Sequence, residues 1–315
     1  MINVSIGTAA VMGLVKARLK ARPTTAYLML GGRCLMDCAF CAQARSSTAN
    51  PELLSRVKWP PFKEEEVLSH LKLAVLRGDF KRVCLQVTVT KDYLSRTIEL
   101  AQRIKEQCDV PVDAAILPSD FEDVKALLAA GVEHIGFGLD AVSERIFRET
   151  KGPHWDRIIG LIEQTAHRFP GRVAVHLIIG LGETEKEAAF MIQKMHDLKV
   201  ITGLFAFTPI PGTKMESCAP PPLASYRRIQ VARWLITQGL ARAEDFTYSS
   251  DGTIIAFEPD YWEEAVADGR AFMTSGCPDC NRPYYNERPT GPLYNFPYLP
   301  SAEEIEQAIN ATRNG

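Results

Sequence analysis

TAYLMLGGRCLMDCAFC, residues 25–41, decides the reading of this chain. Its first half, Thr25–Gly31, is an apolar run of strand length closed by two glycines, the pattern of a strand buried on both faces. Its second half sets Cys34, Cys38 and Cys41 within eight residues. A buried strand that empties into a thiol-rich loop puts reactive groups at the strand's C-terminal end. In parallel α/β architectures that is where chemistry is placed.

Working outward, strands and helices alternate. Pro61–Arg77 has apolar residues at helical spacing, Val83–Thr90 reads as a second strand and Ser95–Glu106 as a helix. Strand Val110–Leu117 and helix Ser119–Ala130 follow, the helix with Ser119 as its N-cap and Gly131 as its stop. Strand Val132–Leu139, helix Asp156–His167, strand Val173–Gly180, helix Glu185–Asp197 and strand Gly203–Thr208 complete six units. Right-handed crossovers curl such units into a parallel sheet, so the fold expected is a partial (β/α)6 TIM-type barrel. The first twenty residues read as an N-terminal helix.

The alternation breaks after Pro209. Residues 1–210 are therefore expected to form the barrel with its leading helix, and residues 211–315 an irregular C-terminal extension. In the extension, a proline-rich loop leads to a helix at Leu223–Gln238. A hairpin is expected around Asp251-Gly252, a helical stretch at Asp260–Ala271 and a last helix at Ala302–Thr312.

Composition bounds the function. Hydrophobic residues make up 46 % and charged residues 23 % of 315, the proportions of a globular chain that can bury a sizeable core. The 36 Lys and Arg against 38 Asp and Glu leave a charge of −2, so no bulk basic charge points to nucleic acid or to anionic lipid. No apolar run approaches the ~18 residues that span a bilayer. In residues 1–20 the cations follow the apolar stretch, the reverse of a secretory signal. A cytoplasmic protein is expected, acting on neither nucleic acid nor membrane.

In a reducing compartment, clustered cysteines more often hold metal or do chemistry than form disulfides. Cys34, Cys38 and Cys41 stop at three, whereas a structural zinc or a ferredoxin-type cluster takes four ligands. Three ligands on a cubane leave one iron open to a small molecule. Cys277 and Cys280 form a CxxC turn in Ser275–Asn286, with glycine and proline placed to aim both thiols at one metal. That turn is half a zinc site, a redox pair or half of a second cluster. Cys84, on the second strand, and Cys218, in the proline loop, are candidate further ligands. Cys84 reads equally as a small buried hydrophobe, and Cys108 as a core residue.

The spacing CxxxCxxC, with Phe40 before the last cysteine, resembles the signature of radical S-adenosylmethionine (radical SAM) enzymes. The resemblance implies a [4Fe–4S] cluster on Cys34, Cys38 and Cys41. Its open iron would be chelated by S-adenosylmethionine, which is cleaved to methionine and a 5′-deoxyadenosyl radical. Phe40 matches the position near the adenine. His176–Glu183 resembles the family's GxIxGxxE stretch, with Gly180 and Glu183 matching and His in place of the first glycine; by itself, Gly180–Gly182 reads as a strand-ending turn. Asp140 matches the segment that holds the ribose hydroxyls, and it reads also as a cap on the next helix.

Around the signature, the chain is similar to biotin synthase over roughly residues 25–215. Cys84 fits a cysteine that helps hold that enzyme's sulfur-donating cluster, but its counterparts on the third and fifth strands are missing. The run Thr274–Pro283 (TSGCPDCNRP) resembles biotin-synthase-like enzymes that act as two-protein lipoyl synthases. This implies a radical SAM sulfurtransferase that inserts sulfur at C6 or C8 of an octanoyl chain. That chain is amide-linked to a lysine of a lipoyl-carrier protein. A second cluster is expected on Cys277 and Cys280, completed by Cys84 or Cys218. The expected partners are the octanoylated carrier, a homologous radical SAM chain and an electron donor such as ferredoxin or flavodoxin. The alternative is another biotin-synthase relative (biotin synthase itself, a methylase or a cyclase) with one catalytic cluster and a structural metal in the tail.

Overall fold

Along each long strand, alternate residues face helices and a central hollow. A computed structural model describes residues 1–313. Ala26, Leu28 and Leu30, Val83 and Leu85, and Val173, Val175, Leu177 and Ile179 all enter the main hydrophobic core under the helices. Tyr27 and Met29, with Trp59, form a separate small core on the inner face, against which Cys84 and Cys280 pack. The period of two thus sorts the apolar residues outward and the chemistry-bearing residues inward.

The strands of the main sheet are β1 (Ile2–Val4), β2 (Thr25–Leu30), β3 (Pro61–Phe62), β4 (Arg82–Val87), β5 (Val112–Ala115), β6 (Val132–Asp140), β7 (Val173–Ile179) and β8 (Ile201–Ala206). They lie in the order β8-β7-β6-β5-β4-β2-β1-β3. The six strands β2 and β4 to β8 are parallel and in chain order, the arrangement of a partial barrel. The sheet is not closed: β8 pairs only with β7, and antiparallel β1 and β3 extend the other edge. Helices α1 (Ile6–Met12), α2 (Glu64–Leu76), α3 (Tyr93–Gln107), α4 (Phe121–Ala129), α5 (Glu144–Lys151), α6 (Trp155–Arg168) and α7 (Glu185–Asp197) accompany the strands. Helices α8 (Leu223–Thr237), α9 (Trp262–Val266) and α10 (Ala302–Arg313) follow. Among the described residues no helix is long and apolar enough to cross a membrane.

Four local expectations are corrected. The N-terminal helix is shorter: Ile2–Val4 pairs with β2 instead, and Ser5 caps α1, which Gly13 ends at a φ of +80°. Asp120 rather than Ser119 caps α4, its carboxylate accepting from the Glu122 and Asp123 amides at 2.9 and 3.1 Å. Helix α5 was not foreseen; Ser143 precedes it and Gly152 stops it. The stretch Asp260–Ala271 breaks into α9 and a 3-10 turn at Arg270–Phe272. Gly269, at φ +77°, separates the two.

The extension beyond residue 210 packs closely against the barrel. Ser275 Oγ accepts from the Leu204 amide of edge strand β8 at 2.9 Å, and the Arg282 guanidinium donates to the Leu204 carbonyl at 3.2 Å. Across the sheet, the Arg282 amide donates to the Tyr27 hydroxyl of β2 at 2.9 Å. Under β4, Arg82 Nε donates to the Pro278 carbonyl at 3.1 Å. The tail therefore crosses the N-terminal ends of the strands, from the open edge at β8 to β2, the first of the parallel strands.

Candidate active site

Gly31 ends β2 at a φ of +93°, where a side chain would collide with Thr88 Oγ1. Only glycine turns the chain there into the cysteine loop. The loop is tied on all sides. The Leu35 amide donates to the Val89 carbonyl and the Ala39 amide to the Thr150 carbonyl, both at 2.8 Å. Asp37 Oδ1 accepts from the Ser46 amide and hydroxyl at 2.9 and 2.7 Å, and Lys214 pairs with its other oxygen at 2.7 Å. Cys34, Cys38 and Cys41 face a cavity of about 170 Å³ that also touches Gly138, Lys151 and His176. Cys34 Sγ accepts from the Met36 and Val89 amides at 3.4 and 3.3 Å.

Asp140 ends β6 at a φ of +64°. It caps no helix, since α5 starts at Glu144. Its carboxylate is instead paired with the buried Lys151 ammonium, which also donates to the Gly138 carbonyl. Burial alone would lower the Lys151 pKa; Asp140 and Cys38 outweigh it and hold the pKa above the ordinary lysine range. Lys151 is a site residue that sequence reasoning missed, because it closes the helix that was not foreseen.

Gly180 adopts φ +104°, and a Cβ there would lie 2.7 Å from Pro221 Cδ. Glu183 folds back on the same turn, accepting from the Gly180 and Leu181 amides at 2.5 and 3.0 Å. Burial pushes its carboxyl pKa up despite these donors. Glu183 and Gly180 build the turn after β7, and neither lines the cysteine cavity. Phe40 is half-buried against the main core.

A second thiol group lies at the opposite end of the hollow. Cys84 on β4 meets Cys277 and Cys280 around one small cavity, together with Tyr27, Asp113 and Arg282. Gln86 Nε2 donates to Cys84 Sγ at 3.1 Å, and the Tyr27 hydroxyl lies 3.4 Å from Cys280 Sγ. Cys218 is exposed and lines neither cavity, so of the two candidate completing residues only Cys84 is beside the CxxC turn. Cys108 is buried in the main core. Gln86 and His176 line both cavities and so lie between the two thiol groups. His176 packs edge-on to Phe205, with ring centroids 5.1 Å apart. Burial, then the nearby Arg282 cation, lower its pKa to about 4. Sequence reasoning also missed Asp113 and His134, lone polar residues on inward strand positions.

The Radical SAM superfamily model matches residues 28–195. The chain belongs to the radical SAM superfamily. Among curated radical SAM relatives it is 24 % identical over 218 residues to the biotin synthase of Clostridium acetobutylicum, covering 67 % of this chain and 64 % of that protein. It is 28 % identical over 189 residues to the biotin synthase of Persephonella marina, covering 59 % and 54 %. It is 23 % identical over 186 residues to the lipoyl synthase of Roseiflexus sp., covering 56 % and 58 %. The chain thus spans between about half and two thirds of the length of these relatives. Two solved structures share the fold. HydG, a maturase of the [FeFe]-hydrogenase, matches with a TM-score of 0.54 at 11 % identity, over 68 % of this chain and 50 % of that one. Methylornithine synthase (PylB) matches with 0.51 at 17 % identity, over 72 % and 68 %.

Membership of the radical SAM superfamily implies a [4Fe–4S] cluster and S-adenosylmethionine, and the loop fits the cluster. Burial pushes the Cys38 thiol up to about 11 and the Cys41 thiol to about 12, so neither is a thiolate at neutral pH without a cationic metal to stabilise it. The three thiols line one cavity, as ligands of one cluster must. The two backbone amides on Cys34 Sγ are donors of the kind that tune cluster sulfurs. The second thiol group is equally desolvated: burial, then the Asp113 carboxylate, push both Cys84 and Cys277 far above the ordinary thiol range.

Proposed function

We propose that this radical SAM enzyme is a sulfurtransferase that inserts sulfur into C–H bonds of an octanoyl chain on a lipoyl-carrier protein, together with a homologous radical SAM chain. One observation carries the reading: two separate groups of three thiols face the same barrel interior from its opposite ends, with His176 and Gln86 between them. In this reading Cys34, Cys38 and Cys41 hold the SAM-binding cluster, and Cys84, Cys277 and Cys280 hold a second iron–sulfur group. Phe40, Asp140, Gly180 and Glu183 are assigned to SAM. When bound, these groups supply a 5′-deoxyadenosyl radical that takes hydrogen from carbon, and a sulfide that fills the place.

The chain's own residues have supporting work to do. Lys151 fixes the Asp140 carboxylate at the end of β6, so an oxygen acceptor stands ready for a sugar diol. The Glu183 carboxylate and the left-handed Gly180 shape the turn after β7. His176 and Phe205 put an uncharged wall between the thiol groups, which would exclude water from the space where radical chemistry takes place.

A third cavity, about 760 Å³, supports an acyl substrate. It shares Tyr27, Trp59, Arg282 and Tyr285 with the CxxC cavity and adds the apolar Ile6, Leu19 and Val57. Arg18, Lys20, Arg56 and Lys58 also line it. An apolar floor with a cationic rim suits a fatty chain delivered by an acidic carrier. The absence of cysteine from β5 and β7 speaks against biotin synthase itself, whose donor cluster uses ligands there.

The test is an anaerobic assay with an octanoylated carrier peptide, a ferredoxin or flavodoxin reductant and the homologous chain present or absent, read by mass. The peptide is expected to gain sulfur, and 5′-deoxyadenosine to be released. Release of the nucleoside without sulfur on the peptide would leave a radical SAM enzyme of another kind. No release at all would remove the reading.

A further inference from the structure

The CxxC cavity contains a buried carboxylate oxygen that takes no N–H or O–H hydrogen bond among the described residues and has the Cys277 thiol beside it. Asp113 stands on β5 opposite Cys84 of β4 and is 3 % exposed. Its Oδ1 is fully engaged: Arg82 Nη1 donates at 2.8 Å and the His134 amide at 3.2 Å, and His134 Nδ1 lies at 2.9 Å. Its Oδ2 is buried and, among the described residues, has no partner. A desolvated carboxylate oxygen left unpaired is costly, and it persists where something else occupies it. Donor atoms of Asp113, His134 and Cys277 lie within 4.8 Å of one another.

Several other polar groups around the cavity are committed, although the Trp59 indole N–H, a donor, has no partner among the described residues. Gln86 is used on Cys84, and the Tyr27 hydroxyl on Cys280 and the Arg282 amide. The Arg282 guanidinium donates to the Ser275 and Leu204 carbonyls and lies 3.8 Å from the Phe205 ring centroid. Three thiols leave a four-coordinate metal group one donor short, and Asp113 is the one carboxylate among the residues that line the cavity.

We propose that Asp113, through Oδ2, is the fourth protein ligand of the metal group held by Cys84, Cys277 and Cys280. Ligating carboxylates are oriented by hydrogen bonds to their other oxygen, the arrangement that Arg82 and His134 make here. The Arg82 cation also offsets the charge of three thiolates and a carboxylate gathered in one buried place. A hard oxygen among soft thiolates makes one corner of the group unlike the others and the most readily opened. That suits a group that must give up sulfide. The inference rests on the reading above that this group is iron–sulfur.

The test isolates the group in the full chain carrying Cys34→Ala, Cys38→Ala and Cys41→Ala, reconstituted anaerobically with iron and sulfide and read by metal content and Mössbauer spectra. One iron site distinct from the rest is expected, as oxygen ligation gives. Asp113→Asn, which can still accept from Arg82, is expected to lose at least half of the iron or the distinct site. Asp113→Cys is expected to restore the iron and make the spectrum uniform. An unchanged spectrum in Asp113→Asn would overturn the proposal. So would Asp113→Cys proving as damaging as Asp113→Asn, since that marks a structural pairing with Arg82. A measurement on the unmutated carboxylate avoids any folding defect: carbon-13 in the aspartate carboxyls should couple magnetically to the reduced group, and no coupling would overturn the proposal. If the parent chain takes up no metal, the two-group reading itself fails and this inference with it. If it takes zinc, only the iron assignment fails, and the same two variants decide Asp113 by zinc content.

Discussion

His176 shows how a side chain's surroundings convert to a measurable quantity. It is half-buried between the two thiol cavities, and its pKa is held at about 4 by burial and by Arg282, against an ordinary 6.5. The folded chain therefore keeps a neutral imidazole where the unfolded chain binds a proton. The stabilising contribution is complete above pH 6.5 and is lost as pH falls from 6.5 through 4. A shift of this size is worth about 2 kcal/mol after allowing for water in the cavities. Urea unfolding of the metal-free chain should therefore lose about 2 kcal/mol more between pH 7 and 4.5 than His176→Gln does. Equal losses would show that the imidazole is protonated in the folded protein. At this scale legibility divides by pattern. Cys34, Cys38 and Cys41 carry a spacing that no packing requirement produces. Lys151 and Asp113 are single polar residues whose meaning comes only from partners 11 positions away or on other strands.

At the scale of elements, the barrel was readable and its ends were not. Strands such as Val173–Ile179 announce themselves because both faces are apolar, whereas α5 is short and strongly charged and buries only Ile146, Phe147 and Thr150. How the extension is held was also invisible, because it depends on long-range pairs, among them one buried fork. Arg228 of α8 and Glu185 of α7 are both buried; the guanidinium donates at 2.7–3.0 Å in three bonds, and Glu185 Oε2 also accepts from the Ile254 amide at 2.8 Å. Removing one partner strands the other charge out of water. Glu185→Ala should therefore cost about 3–5 kcal/mol, read as a lower denaturant midpoint. Replacing both by apolar residues of similar volume (Glu185→Met with Arg228→Leu) should recover most of that loss. A single Glu185→Ala within ~0.5 kcal/mol of the parent would show that the fork contributes nothing to docking α8.

At the scale of the molecule, the chain folds so that its last hundred residues complete what its first two hundred leave open. The sheet ends at β8 without a partner beyond it, and Ser275 and Arg282 satisfy the Leu204 amide and carbonyl there. The same segment delivers Cys277 and Cys280 to Cys84, so sealing the barrel and assembling the second thiol group are one folding event. The first group does not use the Ser275–Arg282 segment: its three cysteines come from a single loop tied to Val89 after β4, to α5 and to the segment around Lys214. The two groups should therefore load independently. With two four-iron clusters, anaerobic reconstitution should give about eight irons per chain. Replacing Cys34, Cys38 and Cys41 by alanine should remove about four and abolish 5′-deoxyadenosine release. Cys277→Ala with Cys280→Ala should remove the other four and leave slow nucleoside release in place, with sulfur transfer lost. Cys218→Ser, at an exposed thiol that lines neither cavity, should change neither count. Four irons in the parent chain, unchanged in the Cys277/Cys280 double variant, would leave the barrel with a single cluster, and zinc accompanying those four would make the tail a structural metal site.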